Sequence, residues 1–317
     1  MRFIVSRLLS GLAVIFVVSF ITFIILMMIP GDPALLSLGT EATPENVEAL
    51  REAMGFNEPW YVQFLEWFTS FISGDLGRSY LYGEEISTLI LQRVPVTVSV
   101  ALLSLLIATP IALLIGVIAA LYQNKLPDVL ARTLMQIGDA MPSFWLALLL
   151  LVYVAAGSNL FPISGFTPIS EGVIDSMLSI LLPSFVLSLG LMGTMIRIVR
   201  SSMLIALKED YMLLAKMNGI SKFKTIVKYP LRSAIIAPLT IIGMQMAGLL
   251  SGVILVENIF SLPGLGRLLL VAVQQRDLFL LQGIVVVIVS TVVIINMITD
   301  ILYRLANPTM RIGGHDE

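Results

Sequence analysis

Long runs free of charged side chains dominate the chain and are separated by shorter polar stretches. Leu9 to Ile29, Val94 to Asn124 and Thr133 to Leu160 come first, the third interrupted only by Asp139; Ser176 to Ile196, Ser233 to Val256 and Leu278 to Thr299 follow. A helix rises about 1.5 Å per residue and satisfies its own backbone hydrogen bonds, so about 20 apolar residues cross roughly 30 Å of hydrocarbon. The pattern therefore predicts an all-α polytopic membrane protein with six transmembrane helices, at about 9–29, 95–122, 134–157, 176–197, 234–256 and 278–302. Arg2 and Arg7 precede the first run as in a secretory signal. That run is longer than the usual 7–15-residue apolar core and ends in Met28-Ile29-Pro30-Gly31-Asp32 without a small-residue cleavage site, so it is read as a retained helix.

Charge in the intervening segments sets the orientation, because cationic loops stay on the cytoplasmic side. Arg197, Arg200, Lys208, Lys216, Lys222, Lys224, Lys228 and Arg232 fall in one stretch against only Glu209 and Asp210. The 199–232 loop is thus expected in the cytoplasm. Segment 30–93 carries ten acids and only Arg51, Arg78 and Arg93, which puts it outside. An even number of crossings then leaves both termini cytoplasmic, including a 306–317 tail with Arg311.

Outside the spans, Thr43-Pro44-Glu45 supplies a cap, a first-turn proline and an early acid, and Gly55 closes that helix. A second helix is expected from about Asn57-Glu58-Pro59 to Gly74. Its Trp60, Phe64, Trp67, Phe68 and Phe71 fall at i, i+4, i+7, i+8 and i+11, one helical face for packing at the membrane interface or against the spans. In the basic loop, Ser201 or Ser202 is placed to cap a helix through Leu207, Leu214 and Met217, with Gly219 after its end. Ser221 is placed to cap a second helix through Phe223, Ile226 and Val227, broken at Pro230. Such an amphipathic pair suits docking into a groove of a soluble partner, and equally suits a connector that joins two spans.

Composition narrows the class further. Apolar residues make up 57% and charged residues 13%, against about 25% charged in ordinary soluble domains. A net charge of −2 gives no reason to expect nucleic acid, and with no cysteine there is no disulfide or thiolate metal site. No glycine is followed by lysine, so the phosphate-binding G-x-x-x-x-G-K-[ST] loop is absent and the chain is not expected to hydrolyse ATP itself.

Several motifs in order along the chain resemble the permease subunits of the oligopeptide, dipeptide, glutathione and nickel importers of the ATP-binding-cassette class. Arg7-Leu8-Leu9 with Pro30-Gly31-Asp32-Pro33 is similar to the family's opening, and Gly74-Asp75-Leu76-Gly77-Arg78-Ser79 to its GDLG-x-S segment. Glu257, Phe260 and Pro263-Gly264-Leu265-Gly266 resemble E-x-x-F-x-x-P-G-L-G, and Arg276-Asp277, Asn296, Asp300, Tyr303 and Pro308 follow. In the loop, Asp210-Tyr211, Ala215 and Gly219 resemble the family's version of the EAA loop, which contacts the ATPase, and Glu209, Leu214 and Ile220 are expected to share in that contact. There Leu213 and Leu214 replace its Glu and first Ala, and Tyr229 and Arg232 its Ile and Pro.

The resemblance implies a permease in the bacterial inner membrane, surrounded by lipid. It would pair with a second homologous permease, two ATPase subunits that carry ATP and magnesium, and a periplasmic or lipid-anchored solute-binding protein. It implies no catalytic group, no metal and no cofactor on this chain, and a peptide as solute, with glutathione, nickel or an oligosaccharide as the family's alternatives. Asp139, next to Met141-Pro142 where the helix is expected to bend, has either a pathway or a structural role. Gln245 is expected mainly to bond between helices, with a pathway role as the alternative, and Glu257 is expected to face either the pore or the binding protein. An ion-coupled secondary transporter is the rival class, but neither inverted repeats nor paired intramembrane acids stand out.

Overall fold

The computed structural model describes residues 2–28, 33–38, 42–53, 55–158 and 160–306. Gly31, Asp32, Pro308 and the tail beyond Ala306 lie outside them. The chain is helical almost throughout: α1 (Arg2–Met28), α2 (Pro33–Leu38), α3 (Pro44–Ala53), α4 (Trp60–Ser73), α5 (Ile86–Leu121), α6 (Leu126–Ala140), α7 (Ser143–Leu150), α8 (Val173–Ala206), α9 (Asp210–Met217), α10 (Lys222–Lys228), α11 (Pro230–Ile259), α12 (Leu265–Gln274) and α13 (Leu278–Ala306). Among the described residues the only β pairing is a single bridge between Arg78 and Glu85.

Among the described residues four helices, α1, α5, α8 and α13, are long and apolar enough to cross a membrane, and α6 with α7 adds a fifth if that bent pair is one span. Helix α11 has 30 residues and no charge between Arg232 and Glu257.

The expected third span, 134–157, is not one straight helix. Its two halves, α6 and α7, meet at 97°. Proline disfavours the helical region for the residue before it, and Met141 is accordingly extended, with φ −81° and ψ 119°. The carbonyl of Pro142 then accepts from the Trp145 and Leu146 amides and starts α7. A single π turn, Leu151–Ala155, ends this segment.

The fourth span also differs from expectation, since α8 runs unbroken to Ala206 and Ser201 and Ser202 lie inside it rather than at a cap. Val199 and Met203 are wholly buried with Ala120, and that packing carries the helix past the two serines. The helix after it therefore begins at Asp210, not at Ser201.

The chain divides into two compact units. One comprises Met1–Pro95 and Gly264–Ile294, the other Val96–Pro263 with the chain from Ile295 on. In the first, the aromatic face of α4 packs on α1. Phe64 and Phe68 meet Phe16 edge-on at 5.6 and 5.2 Å between centroids, and Phe20 meets Phe64 at 5.2 Å. Gly74 ends α4 at φ +90°, where its amide returns to the Phe71 carbonyl.

In the second unit α8 is the central element, lying against α6 and α11. Glycines set its distance from α6. An added Cβ at Gly138 would come within 2.8 Å of the Leu189 carbonyl oxygen, and one at Gly193 within 3.0 Å of the Met135 oxygen. Close backbone approach through small residues is how membrane helices gain packing when lipid is as apolar as their side chains.

Candidate functional site

The basic loop forms a corner of two short helices. Gly219, between α9 and α10, has φ +70°, and the Ile220 amide donates to the Ala215 carbonyl at 3.1 Å, a left-handed helix end that favours glycine. Ser221 precedes α10 in an extended conformation, but its hydroxyl makes no capping bond. Ala215 is buried inside the corner, and Ile226 packs on the cluster formed by Ala120, Val199 and Met203. Tyr211 and Tyr229 bring their rings to 5.4 Å. Burial and then the neighbouring Glu209 raise the Tyr211 phenol above its ordinary range, so it stays protonated at neutral pH.

Beside the exposed Glu209, Asp210, Asn218 and Lys224, the corner leaves large apolar side chains uncovered. Leu213, Leu214, Met217 and Phe223 are exposed, the last two by 77% and 76%. Side chains of this kind anchor a helix in a partner's groove.

A second feature is a cavity of about 560 Å³ bordered by α6, α7, α8 and α11. Asp139 and Gln245, singled out on separate segments of the sequence, both line it. Gly138, Gly190, Gly248 and Gly252 leave backbone bare in its walls, and among the described lining residues Asp139 is the only charged one.

Among the described residues two ion pairs join α6 to α8, one of them through Asp139 of the cavity wall. Asp128 is fully buried and accepts from Arg200 Nε at 2.6 Å and Nη2 at 2.9 Å, while its Oδ2 also takes the Asn124 amide at 2.9 Å. Asp139 accepts from Arg197 Nη2. Arg197 and Arg200 were legible only as cations of a loop; the structure places both inside α8. No local signal in the sequence reveals either partner.

Glu257 does not join the cavity. It is wholly buried in α11, and Thr97 Oγ1 donates to its Oε1 at 2.6 Å. After α11 the Leu262 amide returns to the Glu257 carbonyl, and Pro263 and Gly264 lead into α12, where Gly266 is buried in the first turn.

Pro33 opens α2, and the remaining motif of segment 30–93 is organised around Asp277. Asp75 Oδ1 accepts the Gly77 amide at 2.8 Å in a tight turn, with Gly77 at φ +79°. Asp277, fully buried, accepts from Ser79 Oγ at 2.6 Å, the Leu81 amide at 3.2 Å and the Leu280 amide at 3.0 Å. It thereby caps α13 and ties down the GDLG-x-S turn. The Tyr80 hydroxyl donates to the Gln275 carbonyl, and burial, reinforced by Asp277, pushes its pKa up to about 12. Asp277 precedes the last apolar run directly, the position of an N-cap, so a local signal was present. Asp277→Ala should leave three donors without their acceptor and lower stability by about 2 kcal/mol, read as reduced abundance and a lower unfolding midpoint in detergent. Ser79→Ala should cost about half as much.

Two family models match the chain. The inner membrane component of binding-protein-dependent transport systems matches residues 112–312, and the N-terminal membrane component of the same systems matches residues 1–101. A putative peptide transport system permease protein of Brucella abortus (strain 2308) is 36% identical over 308 residues, covering 97% of this chain and 98% of the relative. A probable peptide ABC transporter permease of Sinorhizobium fredii is 35% identical over 98% of this chain and 99% of its own length. The glutathione transport system permease of Escherichia coli (strain K12) is 33% identical, with the same coverage.

Proposed function

The chain belongs to the family of inner membrane components of binding-protein-dependent transport systems, and from that premise we propose that it forms, with a second homologous permease, the membrane pathway of a peptide importer. It is an inner-membrane, multi-pass permease of the ATP-binding-cassette importer type, and as such a transport rather than a catalytic subunit. The observation that carries the peptide reading is the likeness, along nearly the whole of both chains, to permeases named for peptides and for glutathione, itself a small peptide.

Six crossings with both termini in the cytoplasm complete the proposal. α1, α5, the bent α6–α7 pair, α8, α11 and α13 supply the spans, and the acidic outer segment and basic 199–232 loop supply the orientation. Two ATPase subunits with bound ATP and magnesium then meet the α9–α10 corner through Glu209, Asp210, Tyr211, Leu214 and Ile220, with Ala215 and Gly219 holding its shape. The exposed Leu214 and Met217 support that reading. Asp139 and Gln245 face the solute as it passes, a role supported by their shared cavity. Glu257 stabilises the α11–α5 contact through Thr97. The GDLG-x-S and Pro263-Gly264-Leu265-Gly266 turns shape the periplasmic face for a solute-binding protein.

Purification of the tagged chain from its own host should recover a second permease and two ATPase copies. Proteoliposomes carrying that complex and the binding protein should take up a dipeptide only with ATP inside. Recovery of the chain alone, with uptake driven by an ion gradient, would instead favour a secondary transporter.

A further inference from the structure

Two acid–arginine pairs join α6 to α8, and their difference is informative. Asp128 with Arg200 is a closed pair: the carboxylate side chain is 0% exposed, the guanidinium 20%, and two nitrogens are engaged. Asp139 with Arg197 is open. Its side chains are 36% and 58% exposed, a single guanidinium nitrogen bonds the carboxylate, and Asp139 stands in the wall of the 560 Å³ cavity. Gly193 makes room for the other carboxylate oxygen, because an added Cβ there would lie 2.6 Å from Asp139 Oδ1. A guanidinium has five N–H donors in a planar fork, so Arg197 bonded through one nitrogen retains donors for a second carboxylate.

Apart from Asp139, the polar side chains of that wall are the neutral Ser143, Thr194 and Gln245, and the remainder is apolar side chain and glycine. A solute with free charged ends loses much of its water on entering such a space; neutral polar groups offset part of that loss, and opposite charges at contact distance offset more.

We infer that Asp139 and Arg197 are a charge-exchange point for a zwitterionic solute, Arg197 taking its carboxylate and Asp139 its ammonium group as the internal pair opens. The inference rests on the peptide reading above and adds a specificity-determining residue, Arg197. The closed Asp128–Arg200 pair holds α6 on α8 in the meantime, which leaves the open pair free to exchange partners.

The test uses the complete importer, with both permeases, ATPases and binding protein, in proteoliposomes. Uptake of a zwitterionic dipeptide and ATP hydrolysis stimulated by the loaded binding protein are read together. Arg197→Gln should slow uptake at least tenfold while stimulated hydrolysis persists, and Arg197→Lys, which keeps the charge, should retain most of the uptake. The exchanged pair D139R/R197D keeps an ion pair between the helices but reverses its polarity, and should remain as slow as Arg197→Gln. Wild-type uptake by the exchanged pair would make the contact a helix fastening only and overturn the inference. Equal losses in Arg197→Lys and Arg197→Gln would overturn it too. A wild-type importer that hydrolyses ATP with its binding protein loaded by another solute, yet takes up no dipeptide, would overturn the peptide reading and this inference with it.

Discussion

Gly219→Val is expected to abolish uptake while the protein still inserts and assembles. The residue sits at φ +70° between α9 and α10, and nothing lies within 4 Å of the position a Cβ would take. The penalty is therefore backbone strain alone. Entering the left-handed region costs an ordinary residue about 1–2 kcal/mol, and a β-branched one more. Helices of eight and seven residues have little stability of their own, so the corner relieves the strain by opening rather than bearing it. Opening moves Leu214 and Met217 relative to Phe223, and the docking face proposed above is lost. An ordered series follows: Gly219→Asn, which tolerates positive φ, should keep most of the uptake, Gly219→Ala less and Gly219→Val none. Uptake measured beside membrane abundance tests it, because a merely misfolded variant would lose both. Normal uptake by the valine variant would remove the corner from energy coupling.

Local rules were readable wherever a backbone needs one residue type. Gly55, Gly74 and Gly219 end α3, α4 and α9 with positive φ, as their positions after apolar periods predicted. Thr43 takes the Asn46 amide at 3.3 Å, and the aromatic face of α4 found α1 through Trp60, Phe64 and Phe68. Rules failed where tertiary packing overrode them. Ser201 and Ser202 have the chemistry of a cap, but the buried Val199 and Met203 on either side of them continue α8. Pro142 announced a bend; that the chain turns by 97° depends on the extended Met141 and on neighbours distant in sequence.

Among candidate site residues the same division holds. Gly219 is defined by its own backbone and was found. Glu257 read equally well as a pore or an interface group, because its partner Thr97 is 160 residues away. Arg197 and Arg200 contributed only positive charge to an orientation argument. Their acids lie 58 and 72 residues upstream, and one-dimensional spacing contains no trace of either pair.

The closed pair carries the largest expected effect on stability. Asp128→Ala leaves Arg200 four-fifths covered with no carboxylate in its fork and removes the acceptor of the Asn124 amide at the α5–α6 corner, where Asn124 has φ +60°. Breaking one side of a buried pair costs about 3–5 kcal/mol, and the partial exposure of Arg200 puts this one near 3 kcal/mol. Removing both charged groups is a different perturbation, since no unpaired ion remains, so Asp128→Ala with Arg200→Met should be milder than Asp128→Ala alone. Unfolding midpoints of the two single variants and the double variant, in one detergent, give the coupling energy directly. A double variant less stable than the wild type by the sum of the two single losses would mean that the two residues act independently. Arg132, 3.8 Å from Asp128 and half exposed, is too distant and too solvated to replace Arg200. Arg132→Ala is accordingly the control, with an expected change below about 1 kcal/mol. The pairing also predicts where the damage appears: α6 should detach from α8 first, so protease or hydrogen-exchange protection should fall in 126–140 before it falls in α8 itself.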